Sequence, residues 1–174
     1  MIYSSLVKKN YKEKLVHIKQ FIFDMDGVFT DGRALILSDG QVARQMNLRD
    51  ALAINRATSA GLNVALISRG TDEAFKEKLK YLGVQDVYMN IYEKEEALAD
   101  LVAVYGWKEE EMLYMGDDLP DLGVMARVGL SCCPQDAVAD VRERVDYISH
   151  FGGGMGCIRD VIEQSMKLKG LWTL

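Results

Sequence analysis

A chain of 174 residues that is 49% hydrophobic and 27% charged can bury a sizeable core as a single globular domain, which excludes intrinsic disorder. Its 26 acidic against 21 basic side chains give a net charge of −5, the wrong sign for gripping a phosphate backbone, so no nucleic-acid partner is expected. Three cysteines, with Cys132 and Cys133 adjacent, fit neither a disulfide framework nor a zinc spacing and suit a reducing, cytoplasmic setting.

Taken in chain order, the first ten residues contain no apolar signal core. No stretch reaches the roughly 18 apolar residues of a membrane span, so no membrane partner is expected either. Tyr3 to Lys19 mixes apolar and basic residues as an amphipathic helix would. The run Phe21-Ile-Phe23 is short and bulky and stops at Asp24-Met-Asp-Gly27, as a buried parallel strand does. Thr30 to Gln45 holds Ser38-Asp-Gly40 between two strand-like stretches and reads as a β-hairpin. Helical patterns occupy Asp50–Ala60, Asp72–Leu82, Lys94–Tyr105 and Asp121–Val128. Between them lie strand-like runs at Leu62–Ile67, Val87–Met89, Met112–Met115, Gly129–Ser131 and Asp146–Ile148. Glu109-Glu-Glu111 reads as a solvated helix start. A glycine-rich segment from about 152 precedes a final helix at Cys157–Glu163.

Alternating strands and helices imply an α/β fold: a Rossmann-like parallel sheet with helices on both faces, a small hairpin insertion over about 30–45 and no separate cap domain. The whole chain, 1–174, reads as one domain. Ligands in such sheets bind outside the carboxyl ends of the strands, and here the acids cluster at those ends. Asp24 and Asp26 come directly after the first strand, and Asp117, Asp118 and Asp121 after a later one. So many carboxylates call for a cation, and oxygen-only donors select a hard one such as Mg²⁺. Ser68, at the end of the middle strand, offers a hydroxyl, and Lys94 a fixed positive charge; together they can cradle a phosphoryl group. His17 and His150 have no ligand-forming neighbours, and Phe21, Phe23, Tyr88, Met112, Tyr114 and Met115 read as core.

The order Asp24-x-Asp26, Ser68, Lys94, Gly116-Asp-Asp118 resembles the four motifs of the haloacid dehalogenase-like phosphatases. Asp24–Gly32, Asn47-Leu-Arg-Asp50, Gly116–Asp121 and Gly152–Arg159 resemble, within that superfamily, the capless phosphatases of 3-deoxy-D-manno-octulosonate 8-phosphate. That resemblance implies that Asp24 attacks phosphorus and that Asp26 serves as general acid and then base. It implies that Ser68 and Lys94 hold the phosphoryl oxygens, and that Asp24, Asp117, the Asp26 carbonyl and Asp118 bind Mg²⁺. Thr30, Asn47, Arg49, Arg69 and Arg159 are the implied contacts to a phosphorylated sugar acid, with Arg159 and Arg49 acting across a subunit boundary. It also implies a homotetramer whose hairpins pack together, a glycine-rich tail reaching an adjacent site, and a product that feeds lipopolysaccharide synthesis. Where such phosphatases commonly carry Thr-Gly-Arg, this chain has Ser68-Arg69-Gly70, which leaves a nine-carbon 2-keto-3-deoxy sugar acid 9-phosphate open as substrate. A receiver-like phospho-acceptor switch shares the residue types but not their order, and an idle oligomerisation module would not need every position filled.

Overall fold

The computed structural model of the chain describes residues 10–173. In chain order its elements are α1 (Tyr11–Leu15), β1 (Gln20–Phe23), the hairpin strands β2 (Leu35–Ile36) and β3 (Val42–Ala43), α2 (Leu48–Ser59), β4 (Asn63–Ile67) and α3 (Glu73–Tyr81). They continue with β5 (Asp86–Tyr88), α4 (Lys94–Tyr105), β6 (Met112–Met115), α5 (Leu122–Met125), β7 (Leu130–Cys133), α6 (Ala139–Arg142), β8 (Tyr147–Ile148) and α7 (Cys157–Leu168). Six strands form one sheet in the order β5-β4-β1-β6-β7-β8, every neighbouring pair parallel.

Strand side chains alternate between two apolar layers, because successive residues of a strand face opposite sides. Phe21 and Phe23 pack with Ile54 of α2, Leu79 of α3 and Val161 of α7, whereas Ile22, Ala65, Ile67 and Tyr114 pack with Leu98 and Leu101 of α4. Each fully buried side chain of this size contributes about 2 kcal/mol of transfer free energy, so both faces hold the sheet. In β1, Phe23 stands opposite Leu66 of β4 and Met115 of β6. The three central strands therefore run out together, and the residues after them share one edge.

The hairpin forms where the sequence places it, with Leu35 opposite Ala43 and Ile36 opposite Val42, and Gly40 in the positive-φ position its tip requires. Three segments differ from expectation. Of the helix expected over Tyr3 to Lys19, residues 3–9 lie outside the described residues, and the described part is the short α1. The helix expected at Asp121–Val128 is a 3₁₀ turn, Leu119–Asp121, and then only four residues of α5. Arg127, bonded to the Glu95 carbonyl and to Glu109, anchors the chain there as it turns into β7. Glu109–Glu111 is a single 3₁₀ turn rather than a helix start. Its carbonyls are taken by the amides of Gly129 and Lys19, so it is spent on aligning β6.

The glycine-rich segment that begins at residue 152 is packed against the domain rather than extended as a free tail. The Gly154 amide donates to the Val28 carbonyl at 2.9 Å, and a Cβ at Gly153 would lie 2.0 Å from the Gly27 oxygen. These glycines rest on the loop after β1 of their own chain. Among the described residues no helix is long and apolar enough to cross a membrane.

Candidate active site

The Asp24 amide extends the ladder by donating to the Met115 carbonyl at 3.0 Å, which fixes Asp24 at the end of β1. Gly27, at φ +86°, then turns the chain so that Asp26 comes back to the same mouth. A Cβ at Gly27 would sit 2.0 Å from Asp117 Oδ2, so glycine is also what lets the β6 acid approach. Asp24, Asp26, Ser68, Arg69, Lys94, Asp117 and Asp118 all line one cleft of about 250 Å³. The sequence places six of these in the phosphoryl-transfer chemistry, and the fold gathers all six.

Lys94, the first residue of α4, is only 2% exposed. Its ammonium lies 2.8 Å from Asp24 Oδ1 and 2.7 Å from Asp121 Oδ1. Burial by itself would lower the lysine's pKa, but Asp121 and Asp24 outweigh it and the net shift is upward. Burial pushes Asp24 up to about 6, with Asp121 adding to the rise and Lys94 opposing it. Asp117 is pushed up to about 7, first by burial and then by Asp121, Asp24 and Asp118. Like charges forced together out of water are what a divalent cation relieves.

Carboxylate oxygens of Asp24, Asp117 and Asp121 all lie within 4.8 Å of one another, an oxygen-only donor set that fits Mg²⁺. The three are not equivalent. Asp121 Oδ1 accepts from Lys94 and, at 2.6 Å, from the buried Tyr114 hydroxyl, while Oδ2 accepts from the amides of Asp117 and Asp118. Its lone pairs are used, so it serves as the brace that aims Lys94 and the turn after β6. Asp118 is exposed and its side chain accepts from the Leu119 amide at 2.7 Å, capping the 3₁₀ turn. It therefore stands outside the three converging acids. Tyr114 is a core residue, as the sequence implies, but its hydroxyl also reaches the charged cluster.

Ser68 is buried at the end of β4, and its Oγ accepts from the Gly70 amide at 3.0 Å. Arg69 lines the cleft and donates to the Tyr92 carbonyl at 3.2 Å. Thr30 is buried behind Asp26, its hydroxyl 3.4 Å from Asp26 Oδ1.

The remaining expected substrate contacts are elsewhere in this chain. Asn47 caps α2 and ties it to the Gly154 carbonyl. Arg49 and Arg159 line a different cavity, of about 450 Å³, on α7. Asp50 of α2 is buried and accepts from the Arg159 amide at 2.7 Å, which docks α2 on the start of α7 and carries both arginines away from the cleft. Burial pushes Asp50 up to about 6. The Arg159 side chain is occupied by Glu163 at 2.8 Å and lies over the Trp172 ring.

One residue beside the cleft went unread in the sequence. Arg44, just past β3, donates to both oxygens of Asp26, at 2.8 and 3.2 Å. Only its place in the insertion directly before Asn47 could have drawn attention to it.

Comparison with known proteins identifies the family. Residues 70–151 match the haloacid dehalogenase-like hydrolase family. The 3-deoxy-D-manno-octulosonate 8-phosphate phosphatase of Salmonella typhi is 31% identical over 164 residues, covering 94% of this chain and 87% of that protein. The crystal structure of the phosphatase of the same name from Yersinia pestis superimposes with a TM-score of 0.91 at 28% identity, covering 94% of this chain and 88% of that one. The corresponding structure from Moraxella catarrhalis, solved with magnesium, phosphate and the octulosonate sugar acid, gives a TM-score of 0.87 at 28% identity and covers 91% of each chain. The sheet order, the strand-end acids and near full-length identity above 30% place the chain in the haloacid dehalogenase-like hydrolases, in the family of 3-deoxy-D-manno-octulosonate 8-phosphate phosphatases.

Proposed function

We propose that this chain hydrolyses 3-deoxy-D-manno-octulosonate 8-phosphate to the free sugar acid and phosphate, through an aspartyl-phosphate on Asp24. The observation that carries the proposal is the buried Asp24–Lys94–Asp121 contact beside Asp26 and Ser68 in a single cleft. In the first half-reaction an Asp24 carboxylate oxygen bonds to phosphorus, the bond from phosphorus to the sugar oxygen breaks, and Asp26 gives that oxygen a proton. In the second, water attacks phosphorus, Asp26 takes its proton, and the bond from phosphorus to Asp24 breaks. Lys94 and Ser68 hold the phosphoryl oxygens throughout. Asp24, Asp117 and the Asp26 carbonyl would hold Mg²⁺, Asp118 assisting; when bound, the ion offsets charge on the transferring phosphoryl group.

One domain without a cap leaves the cleft open, and a neighbouring subunit would close it. Leu35, Ile36 and Val42 on the hairpin and Leu48 and Leu52 on α2 are exposed apolar side chains, Ile36 at 73%. We assign these side chains to a homotetramer in the cytoplasm, with Arg49, and Arg159 on release from Glu163, reaching a neighbour's sugar acid, and a product used in lipopolysaccharide synthesis. Light scattering should give four times the 19.5 kDa chain mass, and a fully active monomer would contradict shared sites.

The substrate is tested by Mg²⁺-dependent phosphate release from the eight-carbon 8-phosphate, a nine-carbon 9-phosphate analogue and simple sugar phosphates. The eight-carbon acid should show the highest kcat/KM, by at least about tenfold. Preference for the nine-carbon acid would keep the mechanism and change the substrate. Slow, single phosphorylation without turnover would point to a phospho-acceptor switch instead.

A further inference from the structure

The hairpin is short and mostly exposed, yet the residue just past it reaches the acids. Arg44 Nε lies 2.8 Å from Asp26 Oδ1 and Nη2 lies 3.2 Å from Asp26 Oδ2, a two-pronged grip that fixes both the position and the plane of the carboxylate. The third nitrogen, Nη1, lies 3.3 Å from Asp72 Oδ2. Asp72 is itself fixed, since its Oδ1 accepts from the Phe75 amide at 2.9 Å and caps α3. The Arg44 side chain is 12% exposed against 41% for Asp26, so the guanidinium is the more enclosed partner. Gly70 is part of the arrangement. A Cβ there would lie 3.2 Å from Asp26 Oδ2, 3.4 Å from Arg44 Nη2 and 2.7 Å from the Met25 methyl, so the bare backbone makes room for the pair.

A carboxylate that must hand a proton to one oxygen and take one from another has to be held within a fraction of an ångström and a small angle. Thr30 alone, at 3.4 Å, is a weak restraint on Asp26. We propose that Arg44 is the positioning residue for Asp26, braced from α3 by Asp72, so that the hairpin sets the geometry of the proton-transfer group. This rests on the phosphatase reading of the cleft. Arg44 acts through Asp26, and the contacts to the phosphoryl group stay with Asp24, Lys94 and Ser68.

The test uses the full chain with Mg²⁺ and p-nitrophenyl phosphate, whose leaving group departs without a proton. Formation of the aspartyl-phosphate from that compound does not need Asp26, whereas its hydrolysis does. In Arg44→Met, steady turnover should fall by roughly 10–100-fold with KM changed less than about threefold, while the fraction of protein trapped as phosphoenzyme by acid quench rises. Arg44→Lys should recover part of the rate. Asp72→Asn, which keeps the α3 cap and loosens only the brace, should fall between wild type and Arg44→Met. Wild-type turnover in Arg44→Met would overturn the proposal. So would a parallel fall of turnover and phosphoenzyme in all three variants, which is what general damage to the fold produces. A wild-type protein that forms no phosphoenzyme and releases no phosphate from any substrate would instead remove the phosphatase reading itself.

Discussion

Exchanging Asp24 for asparagine should lower phosphate release by at least about 10⁴-fold, because an amide oxygen of the same shape cannot form the bond to phosphorus that the carboxylate forms. The fold should survive. Asn keeps an oxygen for the Met25 amide and for Lys94, which lie 2.7 and 2.8 Å from Asp24 Oδ1. The substitution also removes a buried acid whose proton affinity is already raised to about 6. Mg²⁺ affinity should drop but stay measurable by calorimetry, since Asp117 remains. Deamidation would regenerate aspartate, so phosphate release is to be read on protein whose mass shows Asn intact. Wild-type rates from such protein would remove Asp24 as nucleophile.

Lys94→Met combines the next largest loss of activity with the largest loss of stability. The ammonium is the only cation within salt-bridge distance of Asp24 and Asp121 among the described residues. Removing it strips the phosphoryl group of a buried positive charge, which should cost about 10³-fold in kcat/KM. It also leaves two buried carboxylates without a countercharge, a situation that costs about 3–5 kcal/mol. The sign of the pH dependence comes from Asp24. Burial already holds its folded pKa at about 6, above the ordinary carboxylate value, and loss of Lys94 removes the influence that opposes this rise. Protons are then bound more tightly in the folded variant than in the unfolded chain, so its stability falls as pH rises from the ordinary carboxylate range up through that raised value and levels off above it. Urea unfolding without Mg²⁺ should show a smaller deficit against wild type at pH 5, where only the loss of the Lys94–Asp121 pair remains, and the full deficit at pH 8. A deficit of the same size at both would mean that Lys94 is not the countercharge.

The sheet was legible because parallel strands buried on both faces read as uninterrupted apolar runs, and Phe21–Phe23, Val64–Ile67 and Met112–Met115 are such runs. The two acid groups were legible because each begins within two residues of the end of one of those runs, at Asp24 and at Asp117. The hidden part depends on distant pieces meeting. Nothing near Asp121 in sequence announces that it will accept from Lys94 and Tyr114, and nothing near Arg44 announces Asp26, 18 residues earlier. Arg49 and Arg159 look alike as candidate anion ligands until α2 docks on α7 through Asp50 and Arg159 is paired with Glu163. The shortness of α5 likewise reflects the tie from Arg127 to Glu95 and Glu109, which local helix preference does not encode.

The sheet order also bears on how the protein matures. β1 sits between β4 and β6, so the strand that carries Asp24 is flanked by one partner about 40 residues downstream and another about 90 downstream. During synthesis the nucleophile leaves the ribosome early, but Asp117 and the Asp121 brace do not exist until the last third of the chain is being made. β1 must meanwhile wait with an unpaired edge, exposed to wrong partners. Catalytic competence therefore arrives late and all at once, when the sixth strand closes against the first, and a prematurely terminated chain carries the nucleophile without the means to use it.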